Sequence, residues 1–319
     1  MTTETEELLW IASQEYKLIP KDVVLFAIKN KKTLYELLTI DPSKLKGIGE
    51  NDMENFLKNR DNIQFESFQI AYELMQKEHV NLITSCDPYF PEFLKRDERS
   101  LPILLYHQGK KIRFENGIAI VGTRNCSTHA VEIARELGRK LSREGYTIVS
   151  GLARGIDASA HRGTLSVNGT TISVLPWMHE PYPPEHERLL LEIKNHGCVI
   201  SENFFQKKRI DKFKFLERNA IISAISNVLI AVESMYSGGT RWQVELALSQ
   251  GKTVIAMEPE PENEQAYDGF KKFVYKGAIK ASTVQEAVDI ITQKSPIKKS
   301  LDNFEIEEEM DLPPLRKTL

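Results

Sequence analysis

The chain has 319 residues, 41% hydrophobic and 27% charged, with a formal net charge of −3. That length accommodates a full α/β core plus one or two smaller modules. No apolar run approaches a membrane span, and the N-terminus, MTTETEELLW, is acidic rather than signal-like, which makes the cytosol the default compartment. Cys86, Cys126 and Cys198 are too scattered for a disulfide framework or a metal site, as suits a reducing interior. With so little net charge, any contact with nucleic acid must come from a local basic surface.

Residues 1–75 read as short helices joined by polar turns. Leu8, Leu9, Ile11 and Ala12 begin one apolar stripe, and Val23, Val24, Ala27 and Ile28 repeat the helical spacing. The segment LKGIGENDMENFL (45–57) has the Gly-x-Gly pattern of a helix-hairpin-helix or SAM-like module. Its backbone N–H groups can take a phosphate at a helix start, or the turn can simply pack. Residues 76–116 form an entry segment with Pro-marked turns, in which Val80–Ile83 and Ile103–Tyr106 are candidate strands.

From 117 to about 294 apolar, β-branched runs alternate with helical stretches: IAIVG (118–122), TIVSG (147–151), TISVL (171–175), CVIS (198–201), VLIAVE (228–233) and TVIAME (253–258). Continuously apolar strands separated by helices predict a Rossmann-like, doubly wound and mostly parallel sheet. Ligands of such sheets bind beyond the carboxyl ends of the strands. Residues 295–319, with Pro296, Pro313, Pro314 and the cluster EIEEEMD, read as a mobile acidic tail.

The strand ends carry phosphate-friendly residues. Gly122, Thr123 and Arg124 follow the first run, and Ser150, Gly151 and Arg154 follow the second. Gly238, Gly239 and Thr240 follow the fifth. Gly-rich turns at helix starts present unpaired N–H groups and a favourable dipole to an anion, and arginine adds a fork of donors. Each such turn, taken singly, also suits plain helix–strand packing. The run KKRIDKFKFLERN (207–219) holds Lys207, Lys208, Arg209, Lys212, Lys214 and Arg218 against Asp211 and Glu217, a local excess of +4. Phe213 and Phe215 interleave with the lysines, an arrangement that suits phosphate contacts plus base stacking or, alternatively, anchoring in the core. The histidines lack ligand-spaced partners, and neither a catalytic triad nor a Walker loop is present.

VGTRNCS (121–127), SGLARGIDASAHRG (150–163), YPPEH (182–186), LERNAIISAIS (216–226) and SGGTRWQVELALSQGK (237–252), in this order, resemble the signature of the DNA-processing protein A family (DprA/Smf). The resemblance covers about residues 1–293. It implies a single-stranded DNA binder that loads a RecA-type recombinase in natural transformation or recombination, and a homodimer formed through the Rossmann-like domain. It implies no cofactor, metal or catalytic residue. Carried onto this chain, it makes Arg124 a phosphate grip and lines the adjoining wall with Ser150, Gly151 and Arg154. Lys212, Lys214, Arg218 and Asn219 become a basic lip, and Gly238 to Thr240 a closing helix start. The chain departs from the family pattern at LPWMHEP (175–181), at Ala220 and at Gly239, and it stops in an acidic tail where many members have a winged helix.

Two other readings stand beside this one. SGGTRWQVE faintly resembles the PGGxGTxxE motif of nucleotide hydrolases, but Glu245 lies five residues after Thr240 rather than three, which rotates it away from a ligand at the helix start. A sheet that serves as a partner-binding scaffold, in a phage-defence or toxin-antitoxin system, is the third.

Overall fold

The computed structural model describes residues 3–95, 102–180, 182–205 and 212–297. The N-terminal region consists of α1 (Thr3–Gln14), α2 (Lys21–Lys29), α3 (Leu34–Thr39), a 3-10 turn (Pro42–Lys44), α4 (Glu50–Arg60) and α5 (Glu66–Lys77). A capping box starts α3: Thr33 Oγ1 accepts from the Glu36 N–H at 3.2 Å, and the Glu36 carboxylate accepts from the Thr33 N–H at 2.7 Å. The GIG hairpin joins the 3-10 turn, rather than a full helix, to α4, with Gly49 as the N-cap.

The helical region packs directly against the C-terminal part of the chain. Apolar side chains of α1 to α5 form one continuous core with Leu104, Tyr106, Leu189, Ile193, Val199 and Phe204. Polar links seal the seam: the Glu15 carboxylate accepts from the Phe204 N–H at 2.7 Å, and Gln14 Nε2 donates to the Glu202 carbonyl at 2.9 Å.

Among the described residues the strands are β1 (Asn81–Thr84), β2 (Leu104–Gly109), β3 (Gly117–Gly122), β4 (Thr147–Ser150), β5 (Thr171–Leu175), β6 (Cys198–Ser201), β7 (Val228–Val232), β8 (Thr253–Met257) and β9 (Ile279–Ala281). They form one sheet of order β1-β2-β6-β5-β4-β3-β7-β8-β9. β1 and β2 enter as an antiparallel pair on the edge of β6, and every pairing from β6 to β9 is parallel. The six apolar runs are all strands. β9 is an additional strand whose three residues are too few to carry a period.

Side-chain alternation divides the sheet into two covered faces. Ile118, Ile120 and Ile148 pack with residues of α7 (Thr128–Arg143), α8 (Ile156–Leu165) and α13 (Val284–Lys294). Ala119, Val121 and Val149 pack with α10 (Lys212–Ala224), α11 (Gly239–Ser249) and α12 (Glu264–Tyr275). Each fully buried Ile or Val contributes about 1.5–3 kcal/mol relative to exposure. The short α6 (Glu92–Lys95), a 3-10 turn (Pro184–His186) and α9 (Glu187–His196) are the remaining helical elements among the described residues.

The order reverses at β3, which pairs with β4 on one side and β7 on the other. Chains leave in opposite directions there, and their loops part into a crevice. Three of the glycine-bearing turns open at this crevice.

Candidate functional site

β3 ends at Gly122 and delivers Thr123 and Arg124 to the crevice, while β4 ends at Ser150 and delivers the loop 151–155. α10 supplies Phe215 and Arg218 from the opposite face, and the segment after β5 supplies Pro176, Tyr182 and Pro183. These residues line one pocket, together with Gly151, Ala153 and Arg154.

Phe215 is its centre. The Arg124 guanidinium lies 5.5 Å and that of Arg218 6.0 Å from the Phe215 ring centroid. Trp177 and Tyr182 meet the same ring edge-on at 5.8 and 6.4 Å, and Arg154 lies 5.9 Å from the Tyr182 ring. Trp177 is itself buried and donates its indole N–H to the Glu180 carbonyl at 3.0 Å, so the altered 175–181 turn becomes a support for Phe215. Phe213 is 70% exposed and Phe215 is half-buried in the pocket lining.

The three arginines differ in state. Arg124 is exposed and has no carboxylate partner among the described residues. Arg154 is ion-paired with Glu185 at the rim. Arg218 is buried, with Nη1 3.6 Å from Asp157 Oδ2. Burial pushes the Asp157 carboxyl up and the Arg218 guanidinium down, and in each case the partner's charge opposes the shift. Gly151 makes room for this pair, because a Cβ there would overlap the Arg218 guanidinium. Gly155 adopts φ +76°, and a Cβ on it would collide with the Thr123 carbonyl.

Several expected contacts fall elsewhere. Ser150 does not line the wall: it is wholly buried and donates its hydroxyl to the Ile120 carbonyl at 2.7 Å. Asn219 is buried as well. Lys214 pairs with Glu217 at 2.7 Å. Lys207, Lys208, Arg209 and Asp211 lie outside the described residues, as does the side chain of Lys212. Thr240 Oγ1 donates to the Gly122 carbonyl at 3.3 Å, which holds the start of α11 beside β3.

Two of the three turns expected to present N–H groups are already closed by internal carboxylates. Glu233, at φ +41° after β7, accepts from both the N–H and the hydroxyl of Ser127, the N-cap of α7. Asp157 accepts from the Gly151 and Ala153 N–H groups at 3.2 and 3.4 Å. Only the start of α11, capped by Gly238, has neither a side-chain cap nor an acidic residue in its first turn.

The nearby histidines are structural. His161 Nδ1 lies 2.7 Å from Thr171 Oγ1, and burial lowers its pKa to about 3. His186 Nδ1–H donates to the Leu152 carbonyl at 2.8 Å. No cluster of three or more metal-ligating side chains occurs among the described residues. Glu245 accepts from Lys276, Arg241 and Tyr236, with Lys276 the main cause of a carboxyl held at about 2. No helix among the described residues is long and apolar enough to cross a membrane.

Sequence and fold comparisons agree with this architecture. The family model described as DNA recombination-mediator protein A matches residues 81–294. Protein Smf of Synechocystis is 30% identical over 287 residues, 86% of this chain and 70% of the relative. DNA processing protein DprA of Bacillus subtilis is 31% identical over 185 residues, 57% of this chain and 62% of the relative. The structure of DNA processing protein A from Streptococcus pneumoniae superposes with a TM-score of 0.70 at 24% identity, covering 91% of this chain and 98% of that one. A structure from Helicobacter pylori, described as showing the single-stranded DNA binding mode of its DNA processing protein A, gives a TM-score of 0.57 at 26% identity. It covers 68% of this chain and 98% of that one. The chain belongs to the DNA recombination-mediator protein A family.

Proposed function

We propose that this protein binds single-stranded DNA through the pocket around Phe215 and mediates recombination, as in DNA uptake and natural transformation. The observation that carries the reading is the union of three arginines with one accessible aromatic ring at the sheet's reversal point. A strand of nucleic acid offers what these groups recognise, phosphates for the guanidinium forks and bases for the ring. The Helicobacter pylori relative, described as a single-stranded DNA binder, supports the same assignment. Arg124, Arg154, Arg218 and Gly151 form the grip in this reading. Lys212 and Lys214 extend it along α10, and Gly238 to Thr240 extend it across the start of α11. The partners it implies are a RecA-type recombinase and a second copy of the chain, in the cytosol.

We read the protein as a binder rather than an enzyme, because Glu245, the acid of the hydrolase-like motif, is engaged by Lys276 and Arg241. Titration of a fluorescent single-stranded oligonucleotide at two salt concentrations tests the binding. Micromolar or tighter, salt-sensitive and sequence-tolerant affinity is expected. No binding at low salt would refute the reading, and base release from nucleoside monophosphates would restore the enzymatic alternative.

A further inference from the structure

Arg218 lies more than sixty residues along the sequence from Gly151 and Asp157, yet the three interlock in one place. The missing Gly151 side chain leaves the volume that the Arg218 guanidinium occupies. Asp157, on the first turn of α8, is the acid beside it at 3.6 Å. The same Asp157 oxygen is already shared by the Gly151 and Ala153 N–H groups, so the guanidinium receives only part of one carboxylate's hydrogen-bonding capacity. Arg218 Nε, though buried, has no hydrogen-bond partner among the described residues. A guanidinium carries five donors, and among the described residues the one carboxylate beside this fork is Asp157, inside a pocket lined by a second arginine.

We propose that Asp157 is the positioning residue for phosphate capture: it holds the dehydrated Arg218 guanidinium over Gly151, with donors left for a backbone phosphate beside Arg124 and Phe215. The inference rests on the single-stranded DNA reading above. Without an anion nearby, a buried guanidinium would turn towards water, and its capture site would have to be rebuilt at each encounter. With Asp157 in place the side chain's rotamer freedom is already surrendered, so binding a phosphate costs less ordering. Incomplete neutralisation by one shared carboxylate leaves the pair attractive to a second anion. Asp157 therefore acts through Arg218 and need not touch the nucleic acid.

The test is a double-mutant cycle on the full chain, with affinity for a fluorescent oligothymidylate measured at fixed salt. Asp157→Asn keeps the side chain's shape and an oxygen for the loop N–H groups, and Arg218→Gln removes the fork. Each is expected to weaken binding about 10- to 100-fold, and the double variant to be no weaker than the weaker single one. Additive losses would show that Asp157 serves the fold independently of Arg218, and wild-type or tighter binding by Asp157→Asn would show that it is not needed. Either result overturns the inference while leaving the DNA-binding reading intact. Failure of the wild-type chain to bind overturns both. If Asp157→Asn does not fold, Gly151→Ala, whose Cβ displaces the guanidinium, and Asp157→Glu, which shifts the carboxylate by one methylene, take its place. Both should lose affinity in the same range, and unchanged affinity in both overturns the proposal.

Discussion

The loop after β4 and the start of α11 are both glycine-bearing turns at the same crevice, but their glycines answer different needs. At the first, packing dictates them: Gly155 is left-handed and jammed against the Thr123 carbonyl, and Gly151 lies under Arg218. At the second, a Cβ on Gly239 would meet nothing within 4 Å, and its backbone needs no special conformation. The β4 loop is thus a machined seat for an arginine. The α11 turn is an open backbone edge, and Arg241, two residues further on, is tied to Glu245. A glycine-rich motif alone does not say which kind of turn it encodes; the surrounding volume does.

That contrast is best broken from its strongest end. Gly155→Ala should cost about 2–4 kcal/mol through steric conflict and backbone strain, read as a lower thermal midpoint and loss of oligonucleotide binding. A stable, binding Gly155→Ala would remove the distinction. Arg124→Ala leaves the seat intact and removes one phosphate contact. Affinity should fall about 10- to 100-fold, and the slope of log K against log salt should flatten by about one unit. Phe215→Ala should lose about 1–3 kcal/mol of binding with the salt slope unchanged, since stacking releases no counterion; a flattened slope would instead assign Phe215 an electrostatic role. At the other end, Gly239→Ala should fold with a stability within about 0.5 kcal/mol of wild type. A marked loss of stability there would show that the α11 turn is as tightly fitted as the β4 loop.

The buried histidines should make stability respond to acid. Burial holds His161 at about 3 and His107 at about 4, whereas an unfolded histidine titrates near 6.5. Below that value the unfolded chain takes up protons that the folded one refuses. Their contribution is therefore complete above pH 6.5 and declines as pH falls towards 3–4. The thermal midpoint should drop between pH 7 and pH 5, and replacement of His161 by Gln should flatten the drop; a midpoint independent of pH across that range would contradict neutral, buried histidines.

Much of this was legible in the residue pattern. Six apolar, β-branched runs announced the parallel sheet, and the antiparallel entry strands lay where their Pro-marked turns placed them. β9 escaped because Ile-Lys-Ala is too short to repeat anything. Arg124, Arg154, Gly151 and Arg218 were expected at the site and do meet in one pocket. The burial of Ser150 was not legible, because its hydroxyl is satisfied by the Ile120 carbonyl of the neighbouring strand, a partner that only the sheet pairing supplies. The roles of Asp157 and Glu233 were hidden for a different reason: each carboxylate finds its partner through the fold, far along the sequence. One clue was available for Asp157. An acid flanked by Ile156, Ala158 and Ala160 is set in a buried stretch, so it requires a counter-charge.

Glu233 gives the chain an internal substitute for the pyrophosphate of a nucleotide cofactor. In dinucleotide-binding folds the first helix after the first strand keeps its N-terminus vacant for that group. Here the corresponding helix, α7, is satisfied from within by the Glu233 carboxylate on Ser127. Soluble dinucleotides and nucleoside diphosphates, abundant competitors for any such helix end, meet negative charge where they would dock. The α7 start thus carries its own carboxylate, whereas the Gly238-capped start of α11, at the same crevice, has no side-chain cap.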